Sequence, residues 1–253
     1  MTRAVANTSL ERNSERLVPP SPRTFPPPLK EMELPVKYSN CSRSASERRV
    51  LIHLGRCGGN TAREVVKFDL EVHVPRRHYD PKVRGIDYYK PSSNDHLYIL
   101  VRDPVERLIS AWYHHHGSKQ LSRQYCSKCV LQDCYRMFRS PDDLGRKLPW
   151  NSVARTFVTE GCIHHWKENY YFFIRRIASF IISNPCKVDL LRQEHLPEDL
   201  HRLFQAEPSQ VERRNRRMPH KPVSKAAKEN LGHYLKDEYE IYHWLLSIKS
   251  LDP

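Results

Sequence analysis

Residues 50–66 have the sequence VLIHLGRCGGNTAREVV, in which a short apolar run is followed by two glycines and then by a helical pattern. This order predicts a β-strand at 50–54, a tight turn at the glycine pair and a helix after it. Two further apolar, β-branched-rich runs, at 70–74 and 96–101, predict strands separated by helical segments. Strands that alternate with helices indicate an α/β domain with a central parallel sheet flanked by helices.

Two long helices are also predicted in the second half of the chain. Residues 166–183 place aromatic and aliphatic side chains at helical spacing, and residues 224–247 repeat leucine and tyrosine on one stripe. Between them, residues 187–204 have an apolar run followed by an amphipathic pattern, which predicts a strand and then a helix. We expect the apolar stripe of the last helix to pack in the core.

Length and composition indicate one folded domain preceded by a tail. Residues 1–46 are proline-rich and lack periodic hydrophobicity, so we expect a flexible, largely extended segment there. Residues 47–253 carry the strand and helix patterns, and a hydrophobic fraction of 39% over 253 residues is enough for one core. The formal net charge of +13 indicates an anionic partner: a nucleic acid, a nucleotide, an acidic polysaccharide or a membrane surface.

The cysteines and the N-terminal residues bear on the compartment. No apolar run is long enough to span a bilayer, and the first residues lack the apolar core of a signal peptide. The seven cysteines are an odd number, which excludes complete intramolecular pairing and fits a reducing compartment. We therefore expect a cytoplasmic protein. Cys126, Cys129 and Cys134 are expected to be free thiols, with a local disulfide or a structural zinc site as the alternatives.

The glycine turn lies where a parallel sheet places its ligands, at the carboxyl end of a strand. Gly58 and Gly59 let the backbone approach a phosphate closely, and Arg56 adds a positive charge. Asn60 or Thr61 is expected to cap the following helix or to donate a hydrogen bond. The turn is not a magnesium-dependent nucleoside triphosphate loop, because Gly59 is followed by Asn60 instead of by lysine and a hydroxyl residue. The alternative is a turn that binds nothing.

Residues 98–113, YILVRDPVERLISAWY, combine an apolar strand with the start of a helix. Asp103 followed by Pro104 is typical of an N-cap and a first helical residue. Arg102 ends the strand, and Ser110 is turned away from the apolar stripe of the helix, so it is free to face a ligand. Arg102 and Ser110 are therefore expected to bind one phosphate from two sides. The alternative is helix capping and a solvated hydroxyl.

Together the two motifs resemble those of the sulfotransferases that use 3′-phosphoadenosine 5′-phosphosulfate (PAPS) as donor, especially the carbohydrate branch with the heparan sulfate 2-O-sulfotransferases and their bacterial relatives. The resemblance implies a single P-loop-NTPase-like α/β domain that converts PAPS to 3′-phosphoadenosine 5′-phosphate (PAP) and requires no metal ion. It also implies that the first motif binds the 5′-phosphosulfate and the second the 3′-phosphate. The implied cofactor-binding residues are Arg56, Cys57, Gly58, Gly59, Asn60, Thr61, Arg102 and Ser110, with Arg214 and Asn215 from a basic loop.

In that branch the catalytic base is a histidine or glutamate just past the second strand. The corresponding stretch here is LEVHVPRRHYD, and its candidates are His78, His73 and Glu71. His78 is preferred because it lies beyond the strand end, where a histidine that titrates near neutral pH is accessible to substrate. The resemblance implies that Arg56 contacts the transferred sulfuryl group.

The first functional prediction is therefore a sulfotransferase that moves a sulfuryl group from PAPS to a hydroxyl of an acceptor. The acceptor is expected to be a carbohydrate, and an anionic one would suit the net charge. The first alternative is a sulfotransferase-like protein that binds nucleotide or polyanion without catalysis, because Arg56 stands in place of the family's lysine. The second is a nucleic-acid-binding protein that uses the arginine-rich segment 211–225, although no specific nucleic acid is indicated. The sequence predicts neither the acceptor's identity nor the oligomeric state.

Overall fold

The computed structural model describes residues 46–73, 83–84, 86, 89–116, 137–159, 170–214 and 221–249. Within them the chain forms an α/β fold in which helices pack against one parallel sheet. Residues 1–45 of the predicted tail lie outside this part of the chain. No helix among the described residues is both long and apolar enough to cross a membrane.

The sheet has five parallel strands in the order β3-β2-β1-β4-β5. They are β1 (Arg48–His53), β2 (Leu70–His73), β3 (Val83–Arg84), β4 (Asp95–Val101) and β5 (Val188–Arg192). Strand β4 is buried along its whole length, as expected for an inner strand covered on both faces. The predicted α/β class and the predicted parallel sheet are therefore confirmed, and each predicted strand is present with its ends shifted by at most about two residues.

Ten α-helices occur in the described residues, and two 3₁₀ turns, Pro185–Lys187 and Gln193–His195, flank β5. The helices are α1 (Gly59–Val65), α2 (Pro104–His116), α3 (Pro141–Lys147), α4 (Ser152–Thr159), α5 (Tyr170–Ile174), α6 (Ala178–Ser183), α7 (Leu196–Phe204), α8 (Pro208–Arg214), α9 (Lys225–Tyr234) and α10 (Lys236–Lys249). Helix α1 begins in the glycine turn, and α7 follows β5, as the sequence predicts.

Two predicted helices are interrupted in the structure. The segment 166–183 contains α5 and α6, which are separated where Ile177 leaves the helical conformation (φ −120°, ψ −3°). The C-terminal segment contains α9 and α10, with a break at Leu235 (φ −103°, ψ 16°). Ile177 and Leu235 are both buried, so the apolar stripe continues across each break. Periodicity alone therefore does not predict either interruption.

The order of the strands creates a switch point between β1 and β4. The chain runs from β1 through α1 to β2 on one side of β1, whereas β4 pairs with the other side of β1. In open parallel sheets, ligands bind beyond the carboxyl ends of the strands at such a point. The loop after β1 and the first residues after β4 flank this position, and these are the two motifs singled out in the sequence.

Helix α2, which follows β4, is anchored by its apolar face and by a cap. The predicted stripe is buried in a cluster with side chains of α3, α4 and α9. Its members are Val105, Leu108, Ile109 and Trp112. The predicted N-cap is confirmed, because Glu106 N donates to Asp103 Oδ1 (2.9 Å) and Tyr239 Oη donates to Asp103 Oδ2 (2.8 Å). The helix start is therefore fixed relative to the end of β4.

Two cysteines lie in the described part of the chain. Cys57 is a free, buried thiol, whereas Cys186 is disulfide-bonded. Because disulfides persist mainly in oxidising compartments, this bond argues against the reducing compartment predicted from the cysteine count. Cys126, Cys129 and Cys134 lie outside the described residues.

Candidate functional site

The loop that follows β1 has a strained backbone. Arg56 has φ 72° and Gly58 has φ 91°, so both lie in the left-handed region. Glycine adopts that conformation freely, whereas a residue with a side chain pays a cost of about 1 kcal/mol or more. The hydrogen bonds that hold the turn include one from Arg102 Nη1 to Arg56 O (3.0 Å) and one from Cys57 N to Leu54 O (3.3 Å). Strained positions of this kind cluster at functional sites.

Both glycines of the turn are required by contacts inside the protein. A Cβ on Gly58 would lie 2.5 Å from Gln193 Oε1, in addition to the strain of its positive φ. A Cβ on Gly59 would overlap the ring of His53. The sequence prediction explained the glycine pair by the close approach of an anion. The structure gives the pair an internal packing role, which by itself requires no ligand.

The prediction that Asn60 or Thr61 caps α1 is wrong. The N-cap residue is Gly58, which has no side chain to offer. Asn60 Oδ1 accepts a hydrogen bond from Arg63 Nη2 (3.2 Å), and Thr61 is buried. Asn60 is exposed, so its amide group is accessible to a ligand, whereas the side chain of Thr61 faces the protein interior.

The thiol of Cys57 points into the protein. Its side chain is buried, and its Sγ lies 4.0 Å from Tyr170 Oη. Burial raises the pKa of the Cys57 thiol, so the group packs as a neutral, small apolar side chain. The side chain of Cys57 is therefore packed inside the protein, and the cofactor contact predicted for Cys57 stays a prediction.

Arg56, Arg102 and Ser110 are brought together, although they come from different elements; we call them the two-arginine site. Arg102 Nη1 donates to Arg56 O (3.0 Å), and Arg56 Nε donates to Ser110 Oγ (3.3 Å). Arg102 is 7% exposed and Ser110 is 4% exposed, so neither group lies on an open surface. Ser110 faces away from the apolar stripe of α2, as predicted, and meets the loop after β1.

The two-arginine site carries concentrated positive charge. Burial lowers the pKa of Arg56, and the positive charge of Arg102 lowers it further. Among the described residues, no carboxylate forms an ion pair with Arg56; its side-chain hydrogen bond goes to the hydroxyl of Ser110. Two guanidinium groups that repel each other in a sheltered position favour an anion, which relieves the repulsion and accepts their hydrogen bonds.

A network of buried side chains from α2, α5 and α10 contacts the backbone next to the two-arginine site. Tyr170 Oη accepts from Arg102 N (2.7 Å) and donates to Arg102 O (2.6 Å). Arg107 is fully buried, donates from Nε to Gly55 O (3.2 Å), and has its Nη1 3.7 Å from Glu238 Oε2. Glu238 also accepts from Tyr170 N (3.0 Å). Burial raises the pKa of Glu238 to about 7, although Arg107 and the amide of Tyr170 act in the opposite direction. The network fixes the backbone on both sides of the switch point.

A second cluster joins β1 to β2 under α1. His53 Nε2 lies 2.7 Å from Glu71 Oε1, and Arg63 Nη1 lies 3.4 Å from Glu71 Oε2. Burial raises the pKa of Glu71, but the hydrogen bond from His53 and the nearby positive charges outweigh it and lower the pKa overall. The ring centroids of His53 and His73 are 4.3 Å apart, and His73 is half-buried at the carboxyl end of β2. His53 was not predicted, because no motif distinguishes it from a core residue.

The three candidate bases therefore differ in their surroundings. Both carboxylate oxygens of Glu71 are engaged and its side chain is buried, whereas His73 is partly exposed at the end of its strand. His78, the preferred candidate, lies outside the described residues, as does Asn215. Arg214 is the last residue of α8.

Comparison with known proteins gives no independent assignment. No protein-family model, no curated protein and no solved structure matches this chain. The functional assignment therefore depends on the two sequence motifs and on the geometry of the two-arginine site at the switch point of the sheet.

Proposed function

We propose that this chain is an α/β protein that binds a nucleotide carrying a 3′-phosphate, and, more specifically, that it is a PAPS-dependent sulfotransferase. The observation that carries the proposal is the two-arginine site. Its three residues come from the ends of the two strands that flank the switch point and from the helix after β4. They place two guanidinium groups and a hydroxyl beside the switch point, where a nucleotide with two phosphate groups can bind.

Each residue of the site has a role in this proposal. Arg102 and Ser110 bind the 3′-phosphate, and Arg56 binds the 5′-phosphosulfate. The hydrogen bond from Arg56 Nε to Ser110 Oγ is long, at 3.3 Å, so a phosphate can share or replace it at little cost. Arg56 also has a strained, left-handed backbone, and strain of this kind is often retained at functional positions.

The chemistry follows from these charges. The acceptor hydroxyl oxygen forms a bond to sulfur as the bond between sulfur and the phosphate oxygen of PAP breaks, and PAP leaves with the negative charge. Arg56 stabilises that charge, so the reaction requires no metal ion. The proton of the acceptor passes to a base, and the engagement of Glu71 by His53 and Arg63 favours His73 or His78 for this role. The acceptor is proposed to be a carbohydrate.

The proposal of a sulfotransferase includes a fold family and domain bounds for this chain. A strand, a glycine turn and a helix beside the switch point of a parallel sheet support a P-loop-NTPase-like domain over residues 47–253. Residues 1–46 are proposed to form a proline-rich tail ahead of it.

One observation favours the non-catalytic alternative. The guanidinium of Arg56 is directed to Ser110, which is the proposed 3′-phosphate side, instead of pointing away to a separate 5′-phosphate position. A protein of this second kind would bind PAP without transferring a sulfuryl group.

Transfer of labelled sulfate from PAPS to a panel of glycosaminoglycans tests the proposal and separates it from the alternative. We expect incorporation of label and release of PAP by the wild type, both lost in Arg56→Ala. Arg146→Ala serves as the matched control, because this arginine is exposed on α3 and its removal affects only a surface ion pair. Binding of PAP without transfer or PAP release would contradict the enzymatic proposal and support the non-catalytic one.

A further inference from the structure

The turn that follows β5 contacts both sequence motifs. Gln193 and Glu194 are the first two residues of this 3₁₀ turn. Gln193 is buried, and its Oε1 lies so close to Gly58 that a Cβ on that glycine would be only 2.5 Å away. Glu194 reaches the other motif, where its Oε1 accepts a hydrogen bond from Asp103 N (3.0 Å). Two adjacent side chains therefore connect the end of β5 to the glycine turn and to the residue after Arg102.

The hydrogen bond from Asp103 N to Glu194 takes the place of a local one. Asp103 is the N-cap of α2, and in a capping box the glutamate three residues later accepts a hydrogen bond from the N-cap amide. That glutamate is Glu106, but its Oε1 accepts from Lys228 Nζ of α9 instead (2.7 Å). The N-cap amide is bound by a residue 91 positions away in the sequence, so the start of α2 depends on a tertiary contact.

This contact fixes the backbone that carries Arg102. The amide of Arg102 donates to Tyr170 Oη (2.7 Å), and its carbonyl accepts from the same hydroxyl (2.6 Å). The next amide, that of Asp103, belongs to the same planar peptide group as the Arg102 carbonyl, so the bond to Glu194 restrains that group from its other side. Strands β4 and β5 are neighbours in the sheet, and the bond joins their ends where Arg102 enters the two-arginine site.

The charge of Glu194 is of the wrong sign to help an anion directly. A carboxylate near a bound phosphate repels it, whereas an acceptor for Asp103 N acts by orienting the backbone. The residue is also exposed, so replacing it buries no polar group and opens no cavity in the core. The acceptor oxygen and the charge of this side chain can therefore be separated by mutation without loss of the fold.

We propose that Glu194 is a positioning residue of the two-arginine site: it holds the peptide group between Arg102 and Asp103 so that the guanidinium of Arg102 is directed to the 3′-phosphate of the nucleotide. This inference rests on the phosphate site of the proposed function but not on sulfuryl transfer. Glu194 acts through its acceptor oxygen and through Arg102, and it does not contact the ligand.

Calorimetric titration with PAP of variants at this position separates reach from charge. Glu194→Gln keeps an acceptor oxygen at the same reach and removes the charge, whereas Glu194→Asp keeps the charge and shortens the side chain. We expect Glu194→Gln to bind PAP like the wild type. Glu194→Asp and Glu194→Ala should bind about three- to tenfold more weakly, as for one lost hydrogen bond. Glu198→Ala, which alters an exposed glutamate of α7, should bind like the wild type.

A double-mutant cycle tests whether Glu194 acts through Arg102. In an Arg102→Ala background, Glu194→Ala should cause little further loss of PAP affinity, because the side chain that it positions is absent. A general loosening of the fold would lower the affinity by the same factor in both backgrounds, so the cycle distinguishes positioning from a merely structural role.

The outcomes separate this inference from the proposed function. Wild-type affinity in Glu194→Ala or in Glu194→Asp, or losses that multiply in the cycle, would overturn the positioning role and leave the phosphate site intact. Weakened binding by Glu194→Gln would overturn it as well, since the charge would then be the property that matters. Failure of the folded wild-type protein to bind PAP would overturn both. The comparison of Glu194→Gln with Glu194→Asp remains decisive if Glu194→Ala does not fold.

Discussion

Gly59 has no side chain at the point where the ring of His53 packs against the start of α1, and this contact explains the second glycine of the turn without a ligand. Arg56, two residues before Gly58, is not explained by internal packing in this way. Its left-handed backbone is strained and its charge is not paired with a carboxylate of the described residues, so internal packing does not account for it. The arginines of the two-arginine site, and not the glycines, therefore support a ligand-binding function.

Gly59→Ala is expected to lower the free energy of unfolding by about 1–3 kcal/mol, because the added methyl group overlaps the His53 ring. In a His53→Ala background the same substitution should cost much less, since the ring is absent. Urea denaturation of the four proteins in this cycle measures the coupling. Equal costs in both backgrounds, accompanied by loss of PAP binding, would show instead that Gly59 is needed for an anion.

The hydroxyl of Tyr170 ties α5 to the residue after β4, because it bonds both the amide and the carbonyl of Arg102. Tyr170→Phe should lower the free energy of unfolding by about 1–3 kcal/mol, since two buried backbone groups lose a partner. It should also weaken PAP binding, although Tyr170 has no proposed contact with the ligand. Chemical denaturation and calorimetry measure the two effects, with Tyr171→Phe as the neighbouring control. Unchanged PAP affinity in a less stable Tyr170→Phe would contradict the positioning role.

Helix α10 contributes a pH-dependent element through Glu238. Its pKa of about 7, raised by burial from an ordinary value of 4.5, means that the folded state holds this proton more tightly than the unfolded state does. The resulting stabilisation is fully present below about pH 4.5 and is lost as pH rises to about 7, a change on the order of 3 kcal/mol. In Glu238→Gln, the free energy of unfolding measured by urea denaturation should therefore fall less between pH 5 and pH 7.5 than in the wild type. Glu229→Gln, on the exposed side of α9, should leave it unchanged, and an unchanged slope in Glu238→Gln would contradict the account.

Across the whole molecule, the sequence predicts strands, helix starts and turns, because each of these is encoded by neighbouring residues or by a repeating pattern. The strand runs predict the parallel sheet, the Asp103 cap predicts the start of α2, and the position of the glycine turn at a strand end places it at the binding edge of a parallel sheet. Pairs such as Arg107 with Glu238 are not predicted, because their partners are far apart in sequence and each looks like an ordinary surface residue. Only the tertiary fold places them in contact.

The net charge of +13 is also compatible with the nucleic-acid alternative. The salt dependence of the binding affinity distinguishes a nucleic-acid surface from a nucleotide site. We expect PAP affinity to fall by less than about tenfold between roughly 50 and 200 mM salt, because few charges are involved. A nucleic-acid complex with many phosphate contacts would lose about 10³–10⁵ over the same range. Titration of PAP and of a short DNA duplex at both salt concentrations compares them, and displacement of PAP by the duplex would favour the nucleic-acid alternative.

Calorimetric titration of the purified chain with PAP and, separately, with adenosine 5′-phosphate tests whether the two-arginine site binds a 3′-phosphate. We expect micromolar binding that requires the 3′-phosphate, weakened by about 10- to 100-fold in Arg102→Ala and about fivefold in Ser110→Ala, as expected for a charged and a neutral hydrogen bond. Arg146→Ala should bind like the wild type. No binding of PAP by the folded wild type, or equal binding of adenosine 5′-phosphate, would show that the site is not specific for a 3′-phosphate.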